Sequence, residues 1–122
     1  MAGLPAHQRI TSFDNASVRR AVSLGRPGAA SETGCFLIEG LRFVADALER
    51  MPGAVSEVFV EEGAEQLLDG MDLQGVRVLV LASGVFGKLS GTVHSQGIAA
   101  VCRVPVTDPG SIGSAAGGKR PA

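Results

Sequence analysis

The 122-residue chain has no tryptophan, no tyrosine and only two cysteines. Five phenylalanines carry all of its aromatic surface. That is sparse equipment for a protein that grips single strands by stacking many bases. Cys35 and Cys102 lie in the apolar runs Cys35-Phe36-Leu37-Ile38 and Ala99-Ala100-Val101-Cys102, where a buried free thiol is the ordinary state. There is no CxxC, and the two histidines, His7 and His94, are not spaced as a ligand pair. No metal site is therefore expected. Met1 to Ile10 lacks the apolar core of a secretion signal, and no run approaches bilayer-spanning length. A cytoplasmic protein without a membrane partner is the expectation.

Net charge is also small, −1, which excludes a uniformly basic polyelectrolyte binder. The average conceals a pattern. Residues 1–30 hold four arginines and one acid, residues 31–75 hold two arginines and ten acids, and residues 76–122 hold five basic residues and one acid. If the two ends of the chain meet in space, such a division presents a basic face beside an acidic one.

At 45% hydrophobic residues the chain can build a core, and its length fits one domain. Asp14 and Asn15 suit a helix start, and a short helix from Ala16 would bury Val18, Ala21 and Val22 and end at Gly25. Arg26 to Gly34 reads as a loop, and Cys35 to Glu39 as a buried strand. Beyond Gly40, the residues Leu41, Val44, Ala45, Leu48 and Met51 keep to the helical period until Pro52-Gly53. Val55 to Val60 reads as a strand, and Ala64 to Met71 as a short amphipathic helix. Val76 to Leu81 is apolar enough for a central strand. Ser83 caps a helix carrying Val85, Phe86 and Leu89, residues 91–97 form a loop, and Ile98 to Val104 is the last strand. The alternation predicts an α/β fold: a small α/β/α sandwich with a mixed four-stranded sheet. Residues 105–122, rich in Gly, Ser and Pro, read as a linker or disordered tail.

No constellation for catalysis is visible. Gly84, Gly87 and Gly91 match neither GxGxxG nor a Walker loop, and suit turns and helix packing. His94 has Ser90, Thr92 and Ser95 nearby in sequence, but no third orienting group and no oxyanion hole can be assigned. Glu39, ahead of Gly40, suits a helix start better than a general base.

Three segments, in order, carry a resemblance. They are Ile10-Thr11-Ser12-Phe13-Asp14-Asn15-Ala16-Ser17-Val18-Arg19, then Gly34-Cys35-Phe36-Leu37-Ile38-Glu39-Gly40-Leu41-Arg42-Phe43-Val44-Ala45-Asp46-Ala47-Leu48, then Leu89-Ser90-Gly91-Thr92-Val93-His94-Ser95-Gln96-Gly97-Ile98-Ala99-Ala100-Val101. Together, over roughly residues 8–104, the chain resembles the substrate-binding domain that precedes the catalytic domain in SpoU/TrmH-family RNA 2′-O-methyltransferases. The resemblance implies a fold related to kink-turn-binding ribosomal proteins. It also implies that residues 1–104 form an RNA substrate-binding domain and that residues 105–122 lead toward a catalytic domain absent from this chain. In the family that knotted domain binds S-adenosylmethionine and dimerises. Asp108-Pro109-Gly110-Ser111-Ile112-Gly113 echoes one of its turns, without the preceding strand or the subsequent Arg.

The resemblance further implies an RNA-recognition module, non-catalytic and monomeric by itself and without a cofactor. Its parent would be a homodimeric, S-adenosylmethionine-dependent methyltransferase acting on structured rRNA or tRNA. Arg9, Arg19, Arg20 and Arg26 would contact phosphates, with Arg42 and Lys88 as further candidates. His94 and Gln96 would contact ribose or base edges, and Asn15 is either a helix cap or an RNA contact. Two departures stand out: between the first helix and Phe36 only Arg19, Arg20 and Arg26 remain of the basic residues frequent in relatives, and Ser95 stands where Pro is frequent. The alternative is a non-catalytic, ribosomal-protein-like scaffold or a protein-interaction module.

Overall fold

A computed structural model of the chain describes residues 7–89 and 96–104. In chain order the elements are β1 (His7–Ile10), α1 (Ala16–Ser23), α2 (Ala29–Thr33), β2 (Cys35–Glu39), α3 (Leu41–Arg50), β3 (Val55–Glu61), a 3-10 turn (Glu65–Leu68), β4 (Arg77–Leu81), α4 (Ser83–Leu89) and β5 (Ile98–Arg103). One mixed sheet runs β1-β4-β3-β5-β2. β1, β4 and β3 are parallel, and β5 runs antiparallel to β3 and β2.

The pleat sends alternate residues of each interior strand to opposite cores. Phe59, Leu79, Leu81, Ala99 and Val101 meet Val18, Ala21 and Leu24 of the α1 region, Ala29 of α2, and Val85, Phe86 and Leu89 of α4. Val58, Val60, Val78, Val80, Ile98, Ala100 and Cys102 meet Val44, Ala47 and Leu48 of α3, together with Leu68 and Leu73. The strands are apolar on both sides because both sides are covered. Phe59 and Phe86 are among the largest wholly buried side chains, each worth roughly 2–3 kcal/mol of burial.

The α/β/α sandwich and the mixed sheet are as read from the sequence. The sheet, however, has five strands. The fifth, His7–Ile10, is an edge strand in which Ile10 inserts into the core while Gln8 and Arg9 are exposed. Its partner, β4, lies some seventy positions away, so no local pattern announces it. For the same reason Val76–Leu81 is interior but not central, and β3 takes the middle. Within the expected 26–34 loop the structure forms α2, whose Thr33 Oγ1 donates back to the Ala29 carbonyl at 2.7 Å. The helix expected over 64–71 contracts to one 3-10 turn, because Asp69 turns to extended backbone (φ −60°, ψ 132°). Cys35 packs on the α1 side and Cys102 on the α3 side of the sheet, and both thiols are free.

Candidate nucleic-acid interface

Because the helices divide between the faces, so do the charges. Segments 11–33 and 82–89, whose apolar residues close the α1 side, hold four basic residues and two acids. Segments 40–54 and 62–76, which close the α3 side, hold two basic residues and six acids. Polyanions are drawn to the first face and repelled by the second. A cavity of about 500 Å³ on the α3 side, lined in part by Ala45, Leu48, Pro52 and Met71, also carries the acids Glu49 and Asp72, a poor setting for phosphate.

The expected site residues fall into three groups. Asn15, Arg19, Arg20, Arg26 and Lys88 share the α1/α2/α4 layer. Asn15 is spoken for as a cap: its Oδ1 accepts from the N–H groups of Ser17 at 2.9 Å and Val18 at 3.2 Å, two of the donors a helix start leaves unpaired. Arg19 is exposed and has no ion pair among the described residues. Arg26 pairs with Glu32 at 3.0 Å, both more than half exposed, a contact weakened by solvent. Lys88 stands 5.8 Å from the centre of the Phe13 ring, within cation–π range.

Arg9 and Arg42 form the second group. Gln8 and Ile10 of β1 face the α1 side, so Arg9 faces the other way, and it pairs with Glu62. Arg42 is exposed on the first turn of α3. The sheet therefore separates these two guanidinium groups from the α1 cluster.

Gln96 stands apart at the carboxyl end of the parallel strands, where its Oε1 accepts from the Leu41 N–H at 2.8 Å. Gly40, the residue preceding α3, offers no side-chain cap, and Gln96 fills that role from the start of the neighbouring strand β5. A methyl group added to Gly40 would lie 3.4 Å from the same Oε1. Neighbouring Gly97 is buried at φ +87°, and a methyl group there would meet the Ala64 Cβ and Glu61 Oε1 at 3.2 Å. His94 lies outside the described residues.

Two further residues, Glu57 and Arg77, gain a functional look only in the folded chain. Glu57, on β3, is 3% exposed beneath α1 and receives Arg20 Nη2 on its Oε1 and Arg77 Nη1 on its Oε2, the latter at 3.4 Å. Arg77 also donates to Ser17 Oγ and Gln8 Oε1, each at 3.0 Å. An isolated buried carboxylate would cost several kcal/mol in lost hydration, and this one is held by two cations. The signal in the sequence was a lone acid in an otherwise apolar strand, Val55-Ser56-Glu57-Val58-Phe59-Val60.

The fold is the one found in RNA methyltransferase structures. A solved RNA 2′-O ribose methyltransferase matches with a TM-score of 0.66 at 26% identity, over 84% of this chain and 40% of that one. The SpoU methyltransferase AviRb from Streptomyces viridochromogenes, solved with AdoMet, shares the fold with a TM-score of 0.58 at 21% identity, over 79% of this chain and 38% of AviRb. In sequence, the chain is 30% identical over 123 residues to the 23S rRNA (guanosine(2553)-2′-O)-methyltransferase RlmP of Bacillus subtilis (strain 168), across 88% of this chain and 48% of RlmP. The chain thus spans about half the length of that curated relative. A family model, the MRM3-like substrate binding domain, matches residues 15–100. The chain belongs to that family, the substrate-binding domain of SpoU/TrmH-type RNA 2′-O-methyltransferases.

Proposed function

We propose that this chain holds structured RNA for a ribose 2′-O-methyltransferase domain of the same parent protein, and that the RNA is large-subunit ribosomal RNA. The observation that carries the reading is the match of residues 15–100 to a substrate-binding domain. The 23S rRNA specificity named for RlmP supports ribosomal RNA over tRNA, and a bacterial rRNA enzyme as relative supports a cytoplasmic setting. Residues 1–104 act as the recognition domain and 105–122 as the link to the catalytic domain. The parent dimerises through that catalytic domain, and the isolated chain is monomeric.

S-adenosylmethionine belongs to the catalytic domain in this reading, because the described residues do not fit it. The glycine turns at Gly40 and Gly97, where a backbone could approach a cofactor closely, are occupied by the Gln96 and Glu61 side chains.

RNA docks on the α1/α2/α4 layer, with Arg19, Arg26 and Lys88 on phosphates. Arg9 and Arg42 are peripheral; Gln96 contacts ribose or base edges from the end of the sheet, and His94 is assigned the same kind of contact. The test is filter binding of the 122-residue chain to a 23S rRNA fragment and to tRNA across a salt series. Arg19→Ala, Arg26→Ala and Lys88→Ala together should weaken rRNA binding, with the salt slope falling by about one per lost phosphate contact. An unmodified chain that shows no salt slope would favour the scaffold or protein-interaction alternative.

A further inference from the structure

We propose that Arg20 and Arg77, aligned by the Glu57 carboxylate they share, form a two-guanidinium clasp for a single phosphodiester of the bound RNA, with Glu57 as its positioning residue. The clasp rests on the RNA-binding reading and gives it a specific anchor.

The three side chains come from α1, β4 and β3, so only the tertiary fold assembles them. Their burial is unequal. The Glu57 side chain is 4% exposed, whereas those of Arg20 and Arg77 are 52% and 54% exposed. The negative charge therefore lies beneath the surface and the two positive groups lie over it. One carboxylate against two guanidinium ions leaves a formal charge of +1 at the surface, on the face where basic residues outnumber acids.

The acceptors engaging Arg77 come from three directions: Ser17 Oγ, Glu57 Oε2 and Gln8 Oε1. A side chain so held has lost most of its rotamer entropy before any ligand arrives. Guanidinium forks fixed in this way suit the paired oxygens of a phosphate, which a lysine meets only as a point charge. A buried ion pair is weak support for stability, since apolar residues of similar size often do as well. Its use here is to hold two like charges side by side, an arrangement that repulsion would otherwise open.

The clasp and simple electrostatics make opposite predictions for Glu57→Gln. Removing a negative charge should tighten binding to a polyanion if charge alone matters. If the carboxylate aligns the clasp, binding should weaken despite the gain of positive charge. Arg77→Lys, which keeps the charge and loses the fork, supplies an independent variant should Glu57→Gln fail to fold.

The experiment measures dissociation constants for a 23S rRNA fragment over a salt series, with circular dichroism melts to establish folding. Expected are a roughly tenfold loss for Arg77→Lys with the salt slope nearly unchanged, and a loss rather than a gain for Glu57→Gln. Arg50→Lys, an exposed position on α3 across the sheet from the clasp, is the control and should bind like the parent. Folded Arg77→Lys binding like the parent, or folded Glu57→Gln binding more tightly, overturns the clasp and leaves the RNA reading standing. A parent chain with no salt-dependent binding removes the RNA reading, and the clasp with it.

Discussion

Gln96 caps a helix that begins 55 positions before it: its Oε1 accepts the Leu41 N–H at 2.8 Å. The contact ties the start of β5 to the start of α3 at one end of the sheet. It also occupies one of the two lone pairs of the amide oxygen.

Replacing Gln96 with Ala removes this cap. The expected loss is about 1 kcal/mol, the usual cost of an N-cap side chain, or about 4–8 °C in Tm for a domain of this size. Gln96→Glu, which keeps an acceptor and adds a charge favourable to the helix dipole, should recover most of it. Thermal denaturation monitored by far-ultraviolet circular dichroism decides. Equal melting of Gln96→Ala and the parent would show that the cap contributes nothing.

The Glu57 carboxylate has two cationic partners, so single losses should be milder than the double. Arg20→Ala and Arg77→Ala each leave one guanidinium in place. The double variant leaves a buried, uncompensated charge, for which a loss of about 3–5 kcal/mol is expected. Urea unfolding of the parent, the two single variants and the double variant measures the coupling. Strict additivity would mean that the two arginines do not share the carboxylate in solution.

Gly97→Ala forces a side chain into the left-handed region and brings its Cβ to 3.2 Å from the Ala64 Cβ and Glu61 Oε1. Strain and contact act together, and a loss of more than about 1 kcal/mol is expected. Gly53→Ala, where a methyl group meets nothing within 4 Å, is the comparison and should change little. Chemical denaturation of both variants tests the pair.

Burial, with a smaller contribution from Cys35, pushes the Cys102 thiol above its ordinary value. The unfolded chain therefore ionises this thiol first as pH rises. The stability associated with the neutral buried thiol is present below the ordinary thiol range and is lost as pH climbs toward the raised folded value. Cys102→Ala should flatten that part of the alkaline decline while costing some packing at neutral pH. Native iodoacetamide labelling should reach half-buried Cys35 before Cys102. Equal labelling rates would contradict the burial of Cys102.

Much of this molecule is legible in its residues. The helix Leu41–Arg50 arises from local apolar periodicity and the strand Val55–Glu61 from a short apolar run, whereas Cys35–Glu39, read as a buried strand, is a half-buried edge strand. Asn15 reads as a cap because its side chain serves N–H groups two and three residues ahead. The division of charge along the chain is likewise plain in the sequence. Tertiary structure alone decided the features that depend on distant partners. β1 exists because β4 offers it an edge. Arg9 and Arg20, both basic and early in the chain, serve opposite faces because the pleat and α1 direct them to different carboxylates, Glu62 and Glu57. Glu57 and Arg77 gained their importance only when three separate elements closed over one carboxylate. Local patterns record which face a residue occupies within its own element, whereas a charge network is fixed by elements that meet only once the chain has folded.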